Sequence, residues 1–353
     1  MMIVDNKFKV DFFLDTNILV DYVQGENHLL VQSLDYLAKC PFVTLRSSHY
    51  VEFEFTEIRK RNEFFKIVRG EYPSKKPEDR KCVKNYGSKN WKDGEFDYLI
   101  YKDTIQSCIE QNLNLLKNNL NVNFDDHVLH KDLVKTTCKI LLQTKISRED
   151  SMFLVSCMYP SPEERLLYCV ILTNDKQYND AYKNSKECVD ELLGQGGVCL
   201  PRFFCLKDMQ AQQLRNESDI IEFWNKAIVS FINDKNESDY VGHTIKPSAK
   251  SITNGHIWFD MEDKNKKLYE SDGLVFISQD LLDYQNIENC NKYYGGDGLC
   301  SKFPFTVSDD TEFSIKLEIE DSKVLSRIQN KYYYVFYEAK YDNSLSLDFD
   351  LNF

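Results

Sequence analysis

VDFFLDTNILVDYV, Val10 to Val23, changes its hydrophobic pattern halfway along. Val10 to Leu14 is rich in strand formers and reads as a buried β-strand. Asp15-Thr16-Asn17 follows, and then Ile18, Leu19, Tyr22 and Val23 start an apolar helix. An acid thus stands where a strand ends. In open α/β sheets the carboxyl ends of parallel strands are where ligands bind, because the strand-to-helix turns converge there.

The 353-residue chain is long for one core, so two domains are expected. Its hydrophobic content of 42% is enough to bury a sizeable core, which places it among globular chains. A net charge of −12 argues against a protein that coats nucleic acid or membranes through bulk charge. Asp11, Asp15 and Asp21 interrupt the apolar N-terminal region as no secretory signal would allow, and no apolar run reaches the length of a membrane span. The 11 cysteines contain no C-x-x-C pair, so free thiols and a cytoplasmic location are expected.

Leu29 to Ala38 continues helical, and Phe42 to Leu45 is a candidate second strand. Ser47-Ser48 then opens the helix HYVEFEFTEIRKRNEFFKIV, whose first turns carry Glu52, Glu54 and Glu57. Acids there suit the helix dipole, but Glu52 is also close enough to the strand end to reach the edge that holds Asp15. Between Arg59 and Lys92 lie twelve Lys or Arg and four acids, a basic island in an acidic protein. Pro73, Pro77, Gly87 and Gly94 break it into loop, and Tyr72, Tyr86 and Trp91 interleave aromatic rings. Lys75, Lys76, Arg80, Lys81 and Trp91 are therefore candidate nucleic-acid contacts, by charge and by stacking; a solvated insertion is the plainer reading.

Ile105 to Leu120 and Leu133 to Leu142 read as amphipathic helices, the second with Leu133, Thr137 and Leu141 beside Val134, Cys138 and Leu142. His127 and His130 between them have no third ligand that would make a metal site. Ser147 and Asp150 fit a capping box ahead of Phe153, Leu154, Cys157 and Met158. LLYCVIL, Leu166 to Leu172, is the strongest buried strand, and it runs into Thr173-Asn174-Asp175 as the first strand runs into Asp15. Val198 to Leu206 is a further strand.

Asp15, Glu52, Asp150 and Asp175 all fall at strand ends or helix starts, so one sheet edge can collect them. Clustered carboxylates raise one another's pKa unless a cation lies among them. Ligation by carboxylates without Cys or His points to Mg²⁺ or Mn²⁺, and so to phosphoryl chemistry.

FFLDTN, SSHYVEFE, SREDSMFLVSCMY, VILTNDKQY and GVCLPRFFCLKDM together resemble the PIN-domain nucleases, across about Phe8 to Met209. The resemblance implies a three-layer α/β/α sandwich with a parallel sheet that cuts single-stranded RNA with Mg²⁺ or Mn²⁺. It makes Asp15, Glu52, Asp150 and Asp175 the catalytic metal ligands, and Thr16, Asn17, Thr173 and Asn174 the residues that orient them or the water. Glu54 or Glu57 takes the place of Glu52 if the helix starts later than expected. The chain departs from small family members in the long stretch between Glu52 and Asp150. Residues 1 to 206 carry 28 basic and 30 acidic residues, so with metal bound this half does not repel RNA, which favours the island as a substrate contact.

Residues 210–251 read as a connector, with a helix over Ala211 to Ile232 and a polar linker from Asn233 to Ser251. From 252 to 353 the pattern turns to strands: HIWFDM, GLVFIS, FSIKLEIE, KYYYVFYEAKY and SLSLDFDLNF. With 19 acids and 10 bases over residues 254–353, this β-rich domain suits a regulatory protein, a small ligand or a second copy of the chain better than nucleic acid. The sequence thus suggests a regulated ribonuclease, such as a toxin, an antiviral factor or a stress effector. DNA as substrate, and a non-catalytic RNA-binding or scaffold protein with the same fold, remain alternatives. A phosphatase is not supported, since the chain has neither an Asp-x-Asp after the first strand nor a Cys or Ser nucleophile in a phosphate-cradling loop.

Overall fold

Five strands form the sheet around which the N-terminal part is built, in the order β5-β2-β1-β6-β7. The computed structural model describes residues 9–40, 42–74, 76–86, 91–125, 130–157, 168–194, 202–207, 214 and 216–236, and beyond these the strands of the C-terminal part. Strand β1 (Val10–Leu14) is central and every one of its residues is buried. Side chains alternate across a strand, so both faces of the sheet are covered at this point, as expected for a parallel sheet.

From β1 the chain passes through α1 (Thr16–Gln24) and α2 (His28–Lys39) to β2 (Val43–Ser47). Helix α3 (His49–Arg69) follows, then α4 (Pro77–Asn85), the short hairpin β3 (Lys92–Asp93) and β4 (Phe96–Asp97), and α5 (Tyr98–Asn119), leading to edge strand β5 (Asn123–Phe124). It then returns through α6 (His130–Gln143) and α7 (Arg148–Ser156) to β6 (Tyr168–Thr173) on the other side of β1, and through α8 (Lys176–Gly194) to β7 (Arg202–Cys205). The β2–β5 and β6–β7 pairs are parallel. The strand order reverses between β1 and β6, and open sheets bind ligands in the crevice at the carboxyl ends of such a reversal.

Local chemistry explains the helix boundaries. Asp15, Ser48, Asp97 and Ser147 cap α1, α3, α5 and α7 by accepting backbone N–H bonds. Gly25 ends α1 at φ +71°, in the left-handed region where other residues are strained.

Three expectations need correction. The basic island is not all loop: Pro77 occupies the first turn of α4, where its missing N–H costs nothing. Gly94, at φ +60°, turns β3 into β4. The stripe expected on α6 is divided, because Leu133, Thr137 and Ile140 are buried whereas Val134, Leu141 and Leu142 are exposed. The edge strand β5 went unread, being only two residues long.

The chain divides into two units: 11–39 with 43–217, and 1–10 with 40–42 and 218–353. In the second, a helix over Glu217–Asn236 buries Ile220, Trp224, Ile228 and Ile232 at helical spacing. Its strands make two four-stranded sheets. One runs β13 (Thr306–Val307), β14 (Glu312–Glu318), β10 (His256–Glu262) and β9 (Ile252–Thr253); the other runs β12 (Cys300–Pro304), β11 (Leu268–Ile277), β15 (Tyr333–Tyr341) and β8 (Tyr240–Ile245). All the described pairings in these sheets are antiparallel. Strand β8 falls inside the stretch expected to be a polar linker, and pairs with β15. The expected strand SLSLDFDLNF lies outside the described residues.

Candidate active site

The turns after β1 and β6 are laced together at the crevice. The Asp15 backbone N–H donates to the Leu172 carbonyl at 3.1 Å, which sets the ends of the two strands side by side. The Ser47 hydroxyl donates to the Leu14 carbonyl at 2.8 Å and brings the end of β2 to the same edge.

Asp15 is 8% exposed and accepts three kinds of donor. The Thr16 backbone N–H donates at 2.7 Å, the Thr173 hydroxyl at 2.6 Å, and the Asn17 amide completes the set. Asn17 also donates to Thr173 Oγ1 at 3.3 Å and accepts the Asn174 backbone N–H at 2.8 Å. The Asn174 amide donates to Asp21 at 2.9 Å. Thr16, Asn17, Thr173 and Asn174, the four residues expected to orient the site, thus all join the frame around Asp15.

The glutamate beside Asp15 is Glu54 and not Glu52. The Thr16 hydroxyl donates to Glu54 Oε2 at 2.5 Å, making a bridge from α1 to α3. Glu52 instead accepts Lys117 Nζ at 3.2 Å from α5 and meets His49 Nδ1 at 3.1 Å. Two residues are about 200° apart around a helix. They flank the buried row Val51, Phe55 and Arg59 on opposite sides, and only one flank faces α1. Glu57 pairs with Arg61 one turn further along.

Asp150 lies in the first turn of α7, where its carboxylate accepts the Ser147 hydroxyl at 2.8 Å while its N–H donates to Ser147 Oγ at 3.1 Å. Asp175 is exposed at the start of α8 and accepts N–H bonds from Gln177 at 2.8 Å and Tyr178 at 3.3 Å. Ser147→Ala removes a cap, with an expected cost of about 0.5–2 kcal/mol in urea denaturation.

The electrostatics follow from crowding. Burial pushes the Asp15 carboxyl up to about 7; the Thr173 hydroxyl opposes the rise, and Glu54 and Asp150 add to it. Glu54 is raised by burial and by Asp150, Glu149 and Glu57, against the Thr16 hydrogen bond. Asp150 is raised by burial, and by Asp175 and Glu149, against the Ser147 bond. None of the groups that dominate these shifts is a cation.

Asp15, Glu54, Asp150 and Asp175 therefore sense one another through a short electrostatic chain along the sheet edge. Among the described residues, no three His, Cys, Asp or Glu side chains are grouped tightly enough to enclose an ion by themselves. Tyr50 and Tyr178, which no motif marks, have hydroxyls held protonated by burial and by these acids. Tyr178 falls three residues after Asp175, which is the one sequence signal that points to it.

The basic island divides into two kinds of residue. Tyr86 is buried with Phe64, Phe65, Ile105 and Ile109 in a satellite core, and Trp91 packs against it. The Trp91 ring stacks on Tyr86 at 6.4 Å with Lys60 Nζ 4.7 Å from its centre. Tyr72 is hydrogen-bonded to Glu63 at 2.8 Å and overlain by Lys66. These rings are thus engaged in packing and do not form an open stacking platform. Lys76, Arg80 and Lys81 are exposed on α4, as is Lys84; Lys75 lies outside the described residues.

No family model matches the chain, and neither the curated proteins nor the solved structures give a match. Among the described residues, no helix is long and apolar enough to cross a membrane.

Proposed function

We propose that the chain is a metal-dependent nuclease of the PIN type, with the three-layer arrangement of that family, acting on single-stranded RNA from the edge that holds Asp15. The observation that carries this reading is the setting of Asp15: a buried carboxyl joined through Thr16 to Glu54, at the crevice where the strand order reverses, and raised by Glu54 and Asp150. Such a cluster is poorly stable as bare anions and suits a hard cation.

The donor chemistry fits Mg²⁺ or Mn²⁺, since every acidic group at the edge offers oxygen and none is a thiol or imidazole. Asp15 and Glu54 would hold the ion, with Asp150 and Asp175 reached through water. Mg²⁺ in particular keeps several waters and takes one or two carboxylates plus substrate phosphate oxygens, so an enclosing cage is not required. When bound, the ion supplies a water of lowered pKa and stabilises charge on the phosphate.

The chain's own residues do the rest. Thr173 and Asn17 hold Oδ2 of Asp15 and the Thr16 N–H holds Oδ1, which fixes the orientation of its carboxyl. Thr16 does the same for Glu54. Asp150, whose carboxyl is raised by burial and by Asp175 and Glu149, would exchange a proton with a water or a leaving oxygen.

The carboxylates of Asp150 and Asp175 are both taken up in local bonds at helix starts, which favours a second reading, an RNA-binding or scaffold protein that keeps the fold without the chemistry. Incubation of the full chain with a mixed single-stranded RNA pool in Mn²⁺, Mg²⁺ or EDTA separates the two. Products with metal and none in EDTA support the nuclease; binding without products supports the scaffold. A cytoplasmic setting, and control of the site by a protein, a ligand or a second copy at the β-rich region, belong to the same proposal.

A further inference from the structure

An open cleft of about 290 Å³ lies between α3 and α4, lined by Arg61, Asn62, Pro73, Ser74, Arg80, Val83 and Lys84. Helix α4 turns Cys82 and Val83 toward the satellite core and puts Lys76, Arg80 and Lys84 four residues apart on another face, with Lys81 beside them. Among the described residues none of these four cations makes an ion pair, whereas Arg59, Arg61, Arg69, Lys92 and Lys117 all do. The ridge therefore keeps its charge, unlike Arg59, Arg61 and Arg69.

The cleft floor points the same way. Asn62 is 7% exposed and lines the cleft. Arg61 Nε is buried without an acceptor. A buried donor without an acceptor thus lines a cavity whose rim is cationic. The carboxylates at its border are already engaged, Glu57 with Arg61 and Asp79 with the Ser74 hydroxyl and N–H.

We propose that this cleft is an anion subsite that holds a backbone phosphate of the RNA strand, with Arg80 and Lys84 supplying charge and Arg61 Nε and Asn62 hydrogen bonds. The assignment rests on the nuclease reading for its ligand and adds a second point of attachment to it. Arg61 lies on the same helix as Glu54, seven residues on, so α3 sets a fixed span of about 10 Å between the subsite and the acidic edge. A strand gripped there is held by charge and not by its bases, so the subsite does not read sequence.

Binding in EDTA tests this apart from cleavage. The probe is a fluorescein-labelled twelve-nucleotide oligouridylate, titrated with the full chain from ~50 to ~200 mM NaCl and followed by anisotropy. Arg80→Gln with Lys84→Gln is expected to weaken binding about tenfold or more and to lower the salt slope by about 0.7, the loss of one single-strand phosphate contact. Arg80→Lys with Lys84→Arg keeps most of the affinity. Lys135→Gln with Lys139→Gln, the same charge change at exposed positions of α6, stays within about twofold of wild type. The subsite is overturned if the wild type does not bind, if the cleft variant binds like wild type, or if the α6 variant loses as much. RNA held by the cleft but uncut in any metal would retain the subsite and remove the nuclease; RNA cut equally well by a cleft variant of unchanged affinity would do the reverse.

Discussion

Glu54→Gln is expected to reduce metal-dependent RNA cleavage by about 10²- to 10³-fold, while Glu52→Gln leaves it within about twofold. Both changes remove one charge from the same helix, two residues apart, so bulk electrostatics and helix propensity are matched. What differs is the partner. Glu54 meets the Thr16 hydroxyl at 2.5 Å and shares the field of Asp15 and Asp150, whereas Glu52 is taken up by Lys117 and His49 on the outer side of α3. Exposed ion pairs such as the Glu52 one contribute about 0–1 kcal/mol. Folding should survive both changes, because the amide oxygen introduced by Glu54→Gln can still accept from Thr16. Rates measured side by side on the same RNA check the prediction, and equal losses would return Glu52 to the site.

The second large effect is on stability against pH. Asp15 in the folded chain titrates at about 7, against an ordinary carboxylate value of 3.8. The sign follows from proton linkage. Below about pH 4 the group is protonated in both states, and the folded form keeps its full advantage. Between about pH 4 and 7 the unfolded chain releases its proton first, so stability falls as pH rises. Above about 7 the loss is complete, about 4 kcal/mol for this one carboxyl. Glu54 and Asp150 act in the same direction.

Urea denaturation in EDTA at several pH values should therefore show Asp15→Asn gaining on wild type as pH rises from about 5 to about 8. Mn²⁺ should restore wild-type stability at about pH 8 and have little effect on the variant, since an ion that binds only the folded carboxylates stabilises by mass action. A pH-independent difference between the two proteins would mean that Asp15 is not a strained acid.

The central strand and its acid are legible in the sequence because two independent patterns meet there, an apolar run and a change to helical spacing. Thr173-Asn174-Asp175 is legible for the same reason. The four orienting residues come from the resemblance: Thr16 and Asn17 adjoin Asp15 in the chain, whereas Thr173 and Asn174 reach it only because β6 lies beside β1. Glu54 is not legible in that way, because three acids in the first turns of α3 differ only in helix phase, and phase relative to α1 is a property of packing. The island misleads for a related reason. Composition registers aromatic rings among cations, but not that Phe64 and Phe65 give Tyr86 and Trp91 a core to join. The α4 helix hides behind Pro77, which reads as a breaker anywhere except in a first turn. The cleft beside it depends on Arg61 and Asn62 from one helix meeting Arg80 and Lys84 from another, a juxtaposition that no local pattern carries.

The central claim, that Asp15 anchors a metal-dependent nuclease site, is tested most directly by one comparison. Wild type and Asp15→Asn, purified in parallel as full chains, are given single-stranded RNA and its DNA equivalent in Mn²⁺, and the initial rates are compared. Cutting by the wild type at least about 10³ times faster than by the variant is the predicted result, with the preferred polymer naming the substrate. Equal rates from the two proteins, or no cutting of either polymer by the wild type, would contradict the account.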